Sequence, residues 1–259
     1  MHVHLPKAFH GWREFAKEVG IIVLGVLIAL GFEQVAQAWH WHQEARATRE
    51  ALMAEIEYSA LWSEERLASQ RCLRDRIIHL VIKLNASNGT WAADPLILGQ
   101  PRKPIGREIE VGVPLVYRAP HRPWLRDEWE TAKSSGVIDH FDRNDARNLE
   151  FIYRNIVQID SLQDQESSLE PQISYLAFDQ SLAPQSRVQA LVILARLDYL
   201  NGVQAQSAAQ MLATLRSSRL PLGLVTIGPQ RLTFEAARNR IMRALRDRYG
   251  RCVVEPQSS

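Results

Sequence analysis

The chain has 259 residues, 46% of them hydrophobic and 23% charged, a balance that belongs to a folded protein rather than a disordered one. That length supports one sizeable domain whose core needs no metal or disulfide staple. A formal net charge of +2 gives no reason to expect a nucleic acid partner, which usually demands a strongly basic domain.

In chain order, residues 1–18 read as a short tail. From Val19 to Phe32 no residue is charged and almost all are aliphatic or Gly. Three readings compete: a retained membrane anchor, a signal peptide cut at the small-x-small triplet Ala36-Gln37-Ala38, and a buried helix of a soluble protein. A core helix carries a polar stripe at helical period, and Ile21 to Leu30 carries none. The uncharged run alone is about 14 residues, short of the roughly 20 that span hydrocarbon. Trp12 and Trp39 extend it, because along one helix they stand about 40 Å apart, close to a full bilayer with its interfacial zones. Trp12, Trp39 and Trp41 are therefore expected as membrane-interface anchors. Glu14, Glu18 and Glu33 weigh against a signal peptide, and residues 19–41 are expected to be a transmembrane helix, with cleavage after Ala38 as the alternative.

Within the run, Gly25 and Ala29 form a small-xxx-small pair, the kind of face through which two membrane helices approach, and suggest a homodimer through the anchor. Lys7, Arg13 and Lys17 precede the run and Arg46 and Arg49 follow it, a slight bias that puts the N-terminus inside. In that orientation the bulk of the chain, residues 42–259, faces an oxidising compartment. Its only cysteines, Cys72 and Cys252, are then expected to pair across a very long loop.

Glu44 to Leu84 holds no Pro or Gly, and Leu52, Ile56, Ser59, Trp62 or Ser63, Leu67, Gln70, Leu73, Ile77, Leu80 and Leu84 recur at steps of three and four. This predicts a long amphipathic helix continuous with the anchor. Residues 85–123 break the pattern with many Pro and Gly and read as one long loop, with IEV and PLVY as the two arms of a short β-hairpin. Further helices are expected from Pro123 to about Phe141, with Leu125, Trp129, Ala132 and Gly136 on one face, and from Arg143 to Leu169, bent or stopped by Pro171. Ser186 is expected to cap a long helix with Val188, Leu191, Leu194, Ala195, Leu200, Val203, Met211 and Leu215 inward and a weak point at Asn201-Gly202. Pro221 and Gly223 end it, and a last helix follows from about Leu232 to Tyr249 with an arginine-rich solvated face. The fold expected is mainly α, a transmembrane helix followed by a helical bundle.

Motifs for chemistry are absent. His40 and His42 are two residues apart, which puts them on different faces of a helix and gives no metal pair. Asp127, Glu128, Glu130, His140 and Asp142 supply acids near a histidine, the raw material of a hydrolase site, with nothing in the sequence to fix their geometry. No cofactor and no enzymatic activity are expected.

With these segments read, a resemblance can be stated. Trp12, Phe15 and Glu18 as W-x-x-F-x-x-E, followed by Ile21 to Leu30, resemble the N-terminus of a family of uncharacterised bacterial single-pass membrane proteins with a helical extramembrane domain. Trp129-Glu130-Thr131-Ala132 through Ser135-Gly136 is similar to their central W-x-x-A-x-x-S-G segment. The resemblance implies a retained anchor and no known enzymatic activity, and the A-x-A triplet is a departure from the family. Together these readings give a bacterial inner-membrane protein with a tail too short for an output domain. The expected role is an interaction or scaffolding module for an envelope protein partner, with residues 85–123 as its contact surface. A periplasmic ligand-sensing bundle and a hydrolase acting near Asp127 to His140 are the alternatives.

Overall fold

A computed structural model of the chain describes residues 11–96, 115–218, 220, 222–227 and 229–256, apart from the side chain of Glu14. The molecule is mainly α. Its spine is α1 (Trp12–Ala86), a single uninterrupted helix of 75 residues, about 110 Å long. Against its second half pack α2 (Asp127–Ser135), α3 (Arg143–Leu169), α4 (Pro184–Ser217) and α5 (Phe234–Tyr249). The stripe read from the sequence is the seam. Leu52, Ile56, Ser59, Ser63, Leu73, Ile77, Leu80 and Leu84 are all buried.

The core falls into three apolar clusters stacked along α1. Nearest the exposed N-terminal stretch, Leu52, Ile56 and Ala60 meet Trp129 of α2, Leu149, Ile152 and Ile156 of α3, and Met211 and Leu215 of α4. Trp129 stacks on Tyr153 with ring centroids 4.8 Å apart. Farther along, Leu73 to Leu84 pack on Ile173, Leu176 and the first half of α4. On the flank, Leu61 and Ala68 take Ala237, Met242 and Leu245 of α5. Arg74 meets Asp198, and Arg187 reaches the carbonyl of Ser87, so α4 runs antiparallel to α1.

Several local expectations change. The segment after Pro123 becomes helical only at Asp127, and Gly136, at φ 77°, ends α2 in a left-handed cap that turns the chain into a short 3-10 helix over Val137–His140. Leu125 therefore lies ahead of the helix and is exposed, while Trp129 and Ala132 are buried. As Pro171 predicts, the α-helix ends at Leu169, although the chain keeps coiling as a 3-10 helix over Glu170–Ala177 with Pro171 in its opening turn, where its missing N–H costs nothing. The same logic starts α4 at Pro184 rather than at a Ser186 cap. Val188 and Ala195, expected inward, are exposed, and Asn201-Gly202 is no break.

Two small antiparallel pairs complete the fold. β1 (Thr90–Trp91) bonds to β2 (Gln180–Ser181), tying the chain after α1 to the end of the 3-10 helix. β3 (Leu224–Ile227) and β4 (Gln230–Thr233) form a hairpin that the sequence reading took for part of a helix connection, so α5 begins at Phe234, capped by the Thr233 hydroxyl. The expected hairpin of IEV and PLVY falls mostly on residues 97–114, outside the described residues. Its described end, Leu115 to Tyr117, is not a strand.

Candidate functional site

The first feature to place is the N-terminal part of α1. Every described side chain from Trp12 to His40 is exposed, including Ile21 at 63% and Ile22 at 65%. The stretch is long and apolar enough to cross a membrane, and none of its most apolar window is buried against the rest of the chain. Exposing so many aliphatic side chains to water would cost about 25 cal/mol per Å² of apolar surface. Trp12 and Phe15 lie one turn apart with ring centroids at 5.9 Å. Glu33 accepts a hydrogen bond from Gln37 at 3.3 Å, an internal partner one turn on. Gly25 and Ala29 sit on this bare stretch, and a Cβ added at Gly25 would meet nothing within 4 Å. Of the three tryptophans, Trp12 and Trp39 project freely, whereas Trp41 turns into the bundle and stacks on His140 at 4.2 Å.

The second feature is a belt of buried acids and bases on α1 that the sequence reading missed. Arg66 and Glu166 of α3 form a two-pronged ion pair at 2.8 and 2.9 Å, with 3% and 1% of their side chains exposed. Glu166 also accepts from the Tyr117 hydroxyl at 2.7 Å and Gln204 at 3.0 Å, and Arg66 donates to Asn201 at 3.1 Å. Burial disfavours the Arg66 charge, yet Glu166 more than offsets it and the guanidinium is held above its ordinary pKa. The Tyr117 phenol is pushed up by burial and by the neighbouring carboxylate. This group joins α1, α3, α4 and the segment leading to α2 at one point.

Four further acids of α1 hold irregular segments and neighbouring helices. Glu55 accepts from the Glu128 N–H at 3.0 Å and the Tyr153 hydroxyl at 2.9 Å, so it caps α2 from outside the helix. Glu57 receives the Gly223 N–H at the foot of the hairpin. Glu64 pairs with Arg238 at 3.3 Å and Arg216 at 3.6 Å. Glu65 takes Arg122 at 2.5 and 2.7 Å, and that guanidinium lies over the Trp62 ring. Near the far end, Asp94 is bound by Arg76 at 2.6 Å and by His79 and Lys83 at 2.8 Å each. Burial alone would raise the Asp94 pKa, but these three donors hold its carboxyl well below the usual range. One signal could have found this hub, since Arg76, His79 and Lys83 recur at steps of three and four on one face of α1 and so call for an acid.

Cys72 and Cys252 form a disulfide, with Cα atoms 5.0 Å apart across 180 residues of sequence. It fastens the end of the described chain to α1, and the Val254 N–H donates to the Ala68 carbonyl beside it. The acids and histidine weighed for hydrolysis have separate duties. Asp142 caps α3, His140 stacks on Trp41, and Glu130 pairs with Lys133. Among the described residues no group of three or more His, Cys, Asp or Glu is placed to hold a metal ion.

Fold and site define a class: a mainly α bundle built on one long helix whose bare N-terminal part is able to cross a membrane. No family model, curated protein or solved structure matches the chain.

Proposed function

We propose that the protein is a single-pass protein of a bacterial inner membrane, with its N-terminus inside, residues 19–41 in the bilayer and the helical domain in the periplasm. There it serves as an interaction or scaffolding module for another envelope protein. One observation carries this reading: an apolar, wholly exposed stretch of α1 runs without a break into the buried seam of the bundle. The disulfide supports the oxidising side for the domain.

Exposed apolar side chains support the interaction role: Ile78 and Ile82 on α1 and Val188, Val192 and Tyr199 on α4 are 46% to 67% exposed, and the last three recur at steps of four and seven on one face of α4. Of the loop expected to be the contact surface, Trp91, Val116, Tyr117 and Ala119 are buried in the core, and residues 97–114 lie outside the described residues.

The test is alkaline carbonate extraction of membranes from cells making the full chain, followed by N-terminal sequencing and mass measurement without reductant. The expected result is a membrane-bound chain that retains the residues ahead of Trp39 and has no free thiol. A soluble product beginning at Trp39 overturns the anchor, and two free thiols overturn the periplasmic placement.

A further inference from the structure

Where α1 enters the bundle, a cleft of about 270 Å³ opens between α1 and the start of α3. Ala45 and Phe141 line it, as do Arg49 and Asp145, which pair at 2.8 Å. Two charges of opposite sign remain on facing walls. On α1, His42 and Arg46 stand four residues apart on one face, and Arg46 reaches Glu50 at 3.4 Å in a pair so exposed that water screens it. Opposite, Asp142 uses Oδ1 for both of its capping bonds, to the N–H groups of Asn144 and Asp145, and Oδ2 takes part in neither.

The place of this cleft along α1 decides what it meets. Trp39 marks the interface, and His42 and Arg46 lie roughly 5 and 10 Å beyond it along the axis. Helical side chains lean toward the N-terminus, which brings both groups back toward the bilayer surface. His140, stacked on Trp41, stands at the same mouth.

We propose that this cleft binds the headgroup of an aminophospholipid of the phosphatidylethanolamine type, with the phosphate on Arg46 and His42 and the primary ammonium on Asp142. The proposal rests on the membrane reading above. The charge pattern selects the headgroup. A purely anionic one would leave Asp142 without a cation, since Arg49 is already taken by Asp145. A choline headgroup has no N–H to donate to a carboxylate, whereas an ammonium donates up to three hydrogen bonds.

The experiment uses the full chain reconstituted with equal amounts of phosphatidylethanolamine, phosphatidylcholine and phosphatidylglycerol bearing the same acyl chains, with retained lipid counted by native mass spectrometry. The wild type is expected to retain phosphatidylethanolamine about tenfold over phosphatidylcholine, the worth of one charge-assisted hydrogen bond. Asp142→Asn caps a helix as well as Asp does, so it keeps the fold while removing that preference. Arg46→Gln is expected to lower retention of all three lipids. Equal retention by the wild type, a preference for phosphatidylglycerol, or a preference untouched by Asp142→Asn overturns the proposal. Failure of the anchor shows itself separately, as release of the chain by carbonate.

Discussion

Glu166 accepts four hydrogen bonds from three side chains while almost wholly buried, and each donor comes from a different part of the chain. Removing one partner of such a pair leaves the other charge uncompensated, so Glu166→Ala is expected to destabilise the bundle by about 3 to 5 kcal/mol in urea unfolding. The double variant Arg66→Met, Glu166→Leu is expected to recover only part of that loss, because it removes both charges but leaves the Tyr117 hydroxyl and the Gln204 amide without the carboxylate they donate to. Glu170 makes a pH-dependent contribution of the opposite kind to Asp94. Burial lifts its pKa to about 7, against the lowering effect of the Ala119 N–H it accepts at 2.9 Å. A folded-state value above the ordinary 4.5 means the folded protein holds a proton that the unfolded chain has lost. Its stabilisation is complete below pH 4.5 and is lost as pH rises through 7. Glu170→Gln should flatten urea midpoints over that window and stabilise the protein at pH 8 by about 1 to 2 kcal/mol. None of this was legible from the sequence. Arg66 and Glu166 are 100 residues apart, and an isolated Glu on a helix reads as surface.

At the scale of elements, periodicity was informative where burial is apolar. The stripe from Leu52 to Leu84 located the seam of α1, and the span of α3 was read correctly from Leu149, Ile152, Ile156 and Ile159. It failed where polar groups are buried for a partner. Glu55, Glu57, Glu64 and Glu65 look like solvated positions, yet they bind a helix end, a hairpin and three arginines. Short strands failed for another reason: LVTI and QRLT are four residues each, too brief for alternation to outweigh the helical text on both sides. Two glycines measure how far an element depends on its backbone. Gly202 lies inside α4 with open space around an added Cβ, so Gly202→Ala is expected to raise stability by about 0.5 to 1 kcal/mol. Gly136 has φ 77°, so Gly136→Ala is expected to lower it by about 1 to 2 kcal/mol in the same thermal or urea assay.

Across the whole molecule, the Cys72–Cys252 bond closes a loop of 180 residues that contains every helix packed on α1. In the chain-entropy account a loop of that length contributes about 4 to 5 kcal/mol, so Cys72→Ser with Cys252→Ser should lower the urea midpoint markedly and leave the helical signal unchanged in buffer. The pairing was within reach of the sequence once the domain is placed, as proposed, in an oxidising compartment, where two cysteines have only each other. The continuity of α1 has a mechanical consequence. Between Trp39 and Ala86 the helix has no Pro, no Gly and no change of backbone state at which to bend. At 1.5 Å per residue this segment reaches about 70 Å from the proposed bilayer surface, as a strut rather than a tether. A partner docked at the far end would be held at a set height above the membrane, and a rotation of the anchor about its own axis would swing the exposed face of α4 through the same angle.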